Sequence, residues 1–204
     1  DEPVKMHQLM AATLDVVMEP VADSLRAVIT VTNRTGHKLP TGYPEGRRMW
    51  LNVQAFDEAD NLVFESGHYD PATGELAHDA QAAIYHIEGG LSPGLAAALG
   101  LPAGPSFHFV LNDTTYLDNR IPPRGFTNAA FAAIQSPVVG HAYADGQYWD
   151  DTAYALPNSA KTVHARLYYQ ANTSLRLSAS VGAEENNFVL QQMQSEAIYG
   201  AGVS

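Results

Sequence analysis

Apolar and polar positions alternate with a period of two at three places along the chain, and each place reads as a half-buried strand. Leu25, Ala27, Ile29 and Val31 alternate with Arg26, Thr30 and Thr32. Met49, Leu51, Val53 and Ala55 alternate with Trp50, Asn52, Gln54 and Phe56. Val163, Ala165, Leu167 and Tyr169 alternate with His164, Arg166, Tyr168 and Gln170. Successive strand side chains point to opposite faces, so the first set in each run should face a core. A polar turn over 57–61 followed by an apolar run over 62–66 predicts the return strand of a hairpin. Phe107, Phe109 and Leu111 predict a further strand.

Other segments carry different signals. MHQLMAATLDVVM, from Met6 to Met18, starts with a helical pattern and ends as a strand. TNAAFAAIQ over 127–135 predicts a short helix, with Thr127 as its cap and good helix formers behind it. FVLQQMQSEAIY, after Asn187, predicts a terminal helix that docks on the body or on a neighbour. Residues 67–105 are rich in Ala and Gly and read as a long decorated connection. There is no β-α-β rhythm. The expected fold is therefore mainly β, an antiparallel Ig-like or fibronectin-like β-sandwich with long loops and one or two short helices. One domain over 1–204 is expected, with 1–11 as an N-terminal arm and 187–204 as a C-terminal docking segment.

Composition narrows the function classes. At 204 residues with 46% apolar positions, the chain can bury a core without disulfides. No apolar run reaches membrane-spanning length, so no membrane span is expected. The formal net charge of −11, with 11 Lys and Arg against 22 Asp and Glu, argues against nucleic acid as a partner. Cysteine is absent, which removes thiolate metal sites, a Cys nucleophile and covalent haem attachment through C-x-x-C-H. The first residue is Asp1, read as the start of a mature or trimmed chain.

Three blocks stand out. In GHKLPTGYPEGRRMWL (36–51), glycines and prolines leave the loop few conformations, so His37, Arg47 and Arg48, with Trp50 just beyond, are held at defined places. Such a loop suits a binding site. It equally suits a pinned crossover, with His37 and one Arg bonding loop carbonyls. In DNRIPPRGF, Pro122 and Pro123 impose an extended rod, Asp118 and Arg120 are placed to form an ion pair, and Phe126 is placed to anchor in the core. In YADGQYWDD, Asp145, Asp150 and Asp151 make a candidate calcium site, although the spacing is not that of an EF-hand and an acidic solvated turn reads as well. The aromatic residues Tyr143, Tyr148 and Trp149 of the same block could stack on sugars or pack as core.

Together these blocks, with the strand RLYYQ, resemble the non-haem β-domain of multihaem c-type cytochromes over about 12–170. The resemblance implies export to the periplasm or cell exterior and membership of an electron-transfer assembly. It supplies no catalytic residues, and an enzyme is not expected. With no C-x-x-C-H in this chain, haem c would belong to a partner chain or domain. His7, beside Met6 and Met10, is then a candidate axial ligand to that haem. The implied role is structural docking to a haem-bearing domain or subunit, with a homo-oligomer or filament also compatible.

Two alternatives come from other classes. One is a carbohydrate- or surface-binding module using Tyr143, Tyr148 and Trp149. The other is a copper or zinc protein built on some of the eight histidines, of which His68 and His78 flank one turn. No H-x-H or H-E-x-x-H spacing supports a local metal site.

Overall fold

The computed structural model describes residues 11–42, 46–70, 72–77 and 79–170, together with the backbone of 191–198. In chain order the strands are β1 (Ala12–Val21), β2 (Ser24–Asn33), β3 (Arg48–Phe56), β4 (Leu62–Ser66), β5 (Tyr69–Asp70), β6 (Glu75–Leu76) and β7 (Ile84–Leu91). Helix α1 (Pro93–Leu99) and β8 (Gly104–Pro105) lead to β9 (Thr114–Asp118). Helix α2 (Asn128–Ala133) precedes β10 (Trp149–Leu156), β11 (Thr162–Gln170) and β12 (Gln191–Ile198). One sheet has the order β1-β2-β10; the larger has β12-β11-β3-β7-β8, with β4 added on β3 and β9 on β7. All of these pairings are antiparallel. The mainly β, antiparallel sandwich class is the one the alternation predicts.

A single apolar cluster joins the two sheets. Leu25, Ala27, Ile29 and Val31 meet Leu51, Val53, Ala55, Val163, Ala165 and Leu167 there. Full burial of an aliphatic side chain of this size contributes about 1.5–3 kcal/mol. In β3 the alternation is not the whole account, because Trp50 and Asn52 on the second face are buried too. The reason is cover. Tyr168 stacks on Trp50 at 5.2 Å between ring centroids, Tyr69 lies at 5.4 Å, and the Arg48 guanidinium lies over the indole at 5.3 Å.

Three expectations are corrected. The connection over 67–105 contains β7, which pairs with β3, β8 and β9 in the larger sheet, as well as the short strands β5, β6 and β8 and helix α1. The β7 sequence, IYHIEGGL, hides the pattern because paired glycines break the apolar alternation. Gly90 is needed there: a Cβ would sit 2.1 Å from the Gly104 carbonyl oxygen. Residues 107–111 form a turn and not a strand. The Leu111 N–H donates to the His108 carbonyl at 2.7 Å, and Asn112 Nδ2 donates to the Ser106 carbonyl at 2.9 Å, closing the loop on itself.

The third correction concerns the terminal segment, whose backbone over 191–198 is a strand and not a helix. It pairs with β11, placing Met193, Ser195 and Ala197 opposite Leu167, Ala165 and Val163. Without β12, the outer edge of β11 would leave a row of N–H and C=O groups to find other partners, and pairing takes precedence over weak helical preference. The short helix α2 forms as expected, with the Thr127 side chain accepting from the Ala130 N–H. The N-terminal arm through residue 10, including His7, lies outside the described residues.

Candidate functional site

The first and second proline-glycine blocks are bound to each other. Asn33, at the end of β2, is buried, and its Nδ2 lies 2.8, 2.9 and 3.0 Å from the carbonyl oxygens of His37, Ile121 and Pro122. Its Oδ1 accepts from the N–H and hydroxyl of Thr35. Leu39 and Ile121 exchange backbone hydrogen bonds at 2.9 and 3.0 Å. Pro122, Pro123 and Phe126 are buried behind this seam. The loop is thus a tie between two distant parts of the chain. His37 contributes its carbonyl while remaining an exposed residue, and Arg47 Nη1 donates to the Thr41 carbonyl at 2.8 Å.

Beneath the seam lies a buried charge triad. Asp118 accepts from Arg120 Nε and Nη2, both at 2.8 Å, the ion pair expected from sequence. Lys38 completes it, with Nζ 2.8 Å from Asp118 Oδ2 and 2.9 Å from the carbonyls of Ser136 and Pro137. Burial pushes the Asp118 carboxyl up, but hydrogen bonds and charge from Arg120, then Lys38, outweigh it and hold the group below its ordinary value. For Lys38 burial dominates and pulls the ammonium down, with Asp118 opposing. Sequence reading missed Lys38 because a lysine between His37 and Leu39 carries no mark of burial. All three Lys38 protons have acceptors, so the triad is built for structure.

A groove of about 470 Å³ opens on the other side of the loop. Gly46, Arg47 and Arg48 line one part, and Pro105, Ser106, Phe107 and Phe109 another. Between them lie Ile84, His86 and Glu88 of β7. Arg48 Nε donates to Gln170 Oε1 at 2.8 Å. Burial pulls the Arg48 guanidinium down from its ordinary value. His86 Nε2 faces Glu88 Oε1 at 3.1 Å. Phe107, from the closed loop after β8, is 65% exposed. The groove therefore joins two cations to an aromatic wall.

The acidic block does not converge. Asp145 Oδ1 accepts from the Asn128 N–H at 2.8 Å and holds the start of α2. Asp150 points inward, accepting from the Tyr85 hydroxyl at 2.8 Å, with His141 Nε2 3.1 Å from its other oxygen. Asp151 points outward on the opposite face of β10, accepting from Thr30 Oγ1 and Trp149 Nε1. Among the described residues, no three His, Asp or Glu side chains group so as to hold a metal ion. The calcium expectation for Asp145, Asp150 and Asp151 is corrected accordingly: strand alternation sends neighbours apart and each carboxylate already has its own donors.

The remaining candidates are dispersed. Tyr143 is buried, with its hydroxyl donating to the Asn119 carbonyl at 2.9 Å, so it offers no face to a sugar. Tyr148 packs under Arg124 and edge-on to Trp149. His68 faces Glu65, while His78, like His7, lies outside the described residues. His164 packs on Phe56. Among the described residues, no helix is long and apolar enough to cross a membrane.

No family model matches the chain, and no curated protein matches it by sequence. Among solved structures, the fold is similar to the crystal structure of a penta-haem cytochrome c552 from Thermochromatium tepidum, with a TM-score of 0.60 and 17% identity. The match covers 95% of this chain and 41% of that one, so the chain spans less than half the length of the protein it matches.

Proposed function

We propose that this chain is the non-haem β-domain of an exported multihaem electron-transfer assembly, and that it docks to haem-bearing polypeptide and fixes its arrangement without a catalytic centre of its own. The observation that carries the reading is the fold likeness to a penta-haem cytochrome over 95% of the chain. That likeness speaks for the fold; the assembly and the docking role are the proposal. The chemistry is consistent with it. A chain with no cysteine cannot bind haem c covalently, so the haems would be borne by another chain or domain. The buried triad and the Asn33 tie make the proline-glycine loop a stiff support, and a stiff support presents a docking face at low entropic cost.

Isolation from the native source tests this directly. The expected result is a Soret band in the purified material, with a haem-staining polypeptide that stays with the chain through two unlike chromatographic steps. A colourless preparation free of any cytochrome partner would end the reading.

A further inference from the structure

The groove beside Arg47 and Arg48 suggests what the docked partner places there. We infer that it receives the propionate edge of a haem carried by the docked polypeptide, with the two guanidinium groups meeting the carboxylates and the Phe107–Phe109 wall meeting the ring. This rests on the docking function proposed above.

Among the described residues neither arginine makes an ion pair. Arg47 donates to the Thr41 carbonyl, and Arg48 to the neutral Gln170 side chain while lying over Trp50. In a protein of net charge −11, the groove gathers two adjacent arginines, one of them held down by burial. A desolvated cation is costly until an anion completes it. The carboxylate in the groove, Glu88, is already faced by His86.

The groove volume of about 470 Å³ falls in the range of small-molecule sites. One end is cationic; the other is made by Pro105, Phe107 and Phe109, with Ile84 between. Phe107, on the groove's wall, is 65% exposed, and so is open to an apolar partner. Haem has the matching division: a flat apolar ring with two carboxylates along one edge. Planar guanidinium groups pair with carboxylates in the fork geometry that a lysine cannot offer.

The test uses iron(III) protoporphyrin IX and its dimethyl ester with the whole chain, followed by Soret shift and tryptophan quenching. Saturable binding of the free acid is expected, at least tenfold tighter than the ester. Arg47→Gln and Arg48→Gln should each weaken the free acid at least fivefold, and Arg26→Gln should leave it unchanged. Absence of saturable binding, or equal binding of acid and ester, overturns the inference without relying on any variant. Decanoate binding as tightly as the porphyrin overturns the haem as occupant. Material that brings a cytochrome from its source yet fails the porphyrin test overturns this inference and leaves the docking function standing. Porphyrin binding by a chain that brings no cytochrome sinks the docking function, and with it the partner as the source of the haem.

Discussion

Lys38 Nζ and Asp118 Oδ2 stand 2.8 Å apart, 80 positions distant in the chain, with both side chains 3% exposed. This contact locks the first proline-glycine block to the second at the point where both turn away from the sheets. Removing the carboxylate leaves two buried cations facing each other. Asp118→Asn is expected to cost about 3–5 kcal/mol, the range for breaking a buried ion pair from one side. Lys38→Met leaves Asp118 with Arg120 and should cost less, about 1–3 kcal/mol, through the unsatisfied Ser136 and Pro137 carbonyls. Urea midpoints at neutral pH give both values, and an order reversed from this one would contradict the triad as described.

The same carboxylate sets an acid limb of stability. Its pKa in the folded protein lies below its ordinary value, so the folded state binds its proton later than the unfolded state does. The stabilisation is present above the unfolded value near 4 and is lost as pH falls through the folded one. Asp79 adds the same sign: burial pushes its carboxyl up, but the Gly67 N–H and the Ser66 hydroxyl hold it below its ordinary value. Urea titrations between pH 7 and pH 3 should show a flat region followed by a decline below about pH 4. Asp79→Asn should shallow that decline; a decline of unchanged slope would remove Asp79 from the account.

Strands β2, β3 and β11 were legible because one face of each meets the core, and a period of two is the direct record of that. What escaped was set by neighbours far along the chain. Trp50 and Asn52 are polar-side positions by alternation, yet Tyr69 and Tyr168 roof the indole, and both lie outside the local window. The turn at 107–111 carries strand-like alternation, but Asn112 closes it through a side-chain bond that no periodicity encodes. Of the candidate site, Arg47, Arg48 and the Asp118–Arg120 pair were visible in their motifs. Lys38 and Asn33 were not, because burial of a polar side chain depends on acceptors supplied from residues 118–137.

Two glycines separate close approach from mere flexibility. A Cβ at Gly90 would meet the Gly104 carbonyl at 2.1 Å and its carbon at 2.7 Å, both backbone atoms that a side-chain adjustment cannot move. Gly90→Ala should destabilise by about 1–3 kcal/mol through overpacking and spread β8 from β7. Gly94, inside α1, has nothing within 4 Å of the position a methyl group would take. Gly94→Ala should be neutral to stabilising by up to about 1 kcal/mol, since alanine loses less backbone freedom in a helix. Thermal unfolding of the two variants side by side checks the contrast.

Three tyrosines should remain protonated long past their ordinary range. Burial, then the charge of Asp150, raises Tyr85 well above it. Burial, then the charges of Asp150 and Asp118, raises Tyr143, and burial followed by Asp79 raises Tyr154. Each pKa is higher folded than unfolded, so the unfolded chain ionises first as pH rises. The stabilisation is therefore whole below about pH 10 and drains away above it. Absorbance at 295 nm should rise in two stages, a reversible one from exposed tyrosines and a later one coinciding with loss of near-ultraviolet dichroism. Asp150→Asn removes the charge facing Tyr85, but burial, the larger cause, persists, so the late stage should move down in pH without merging into the first. A single stage completed near pH 10 with the fold intact would mean that the Tyr85–Asp150 contact is not desolvated.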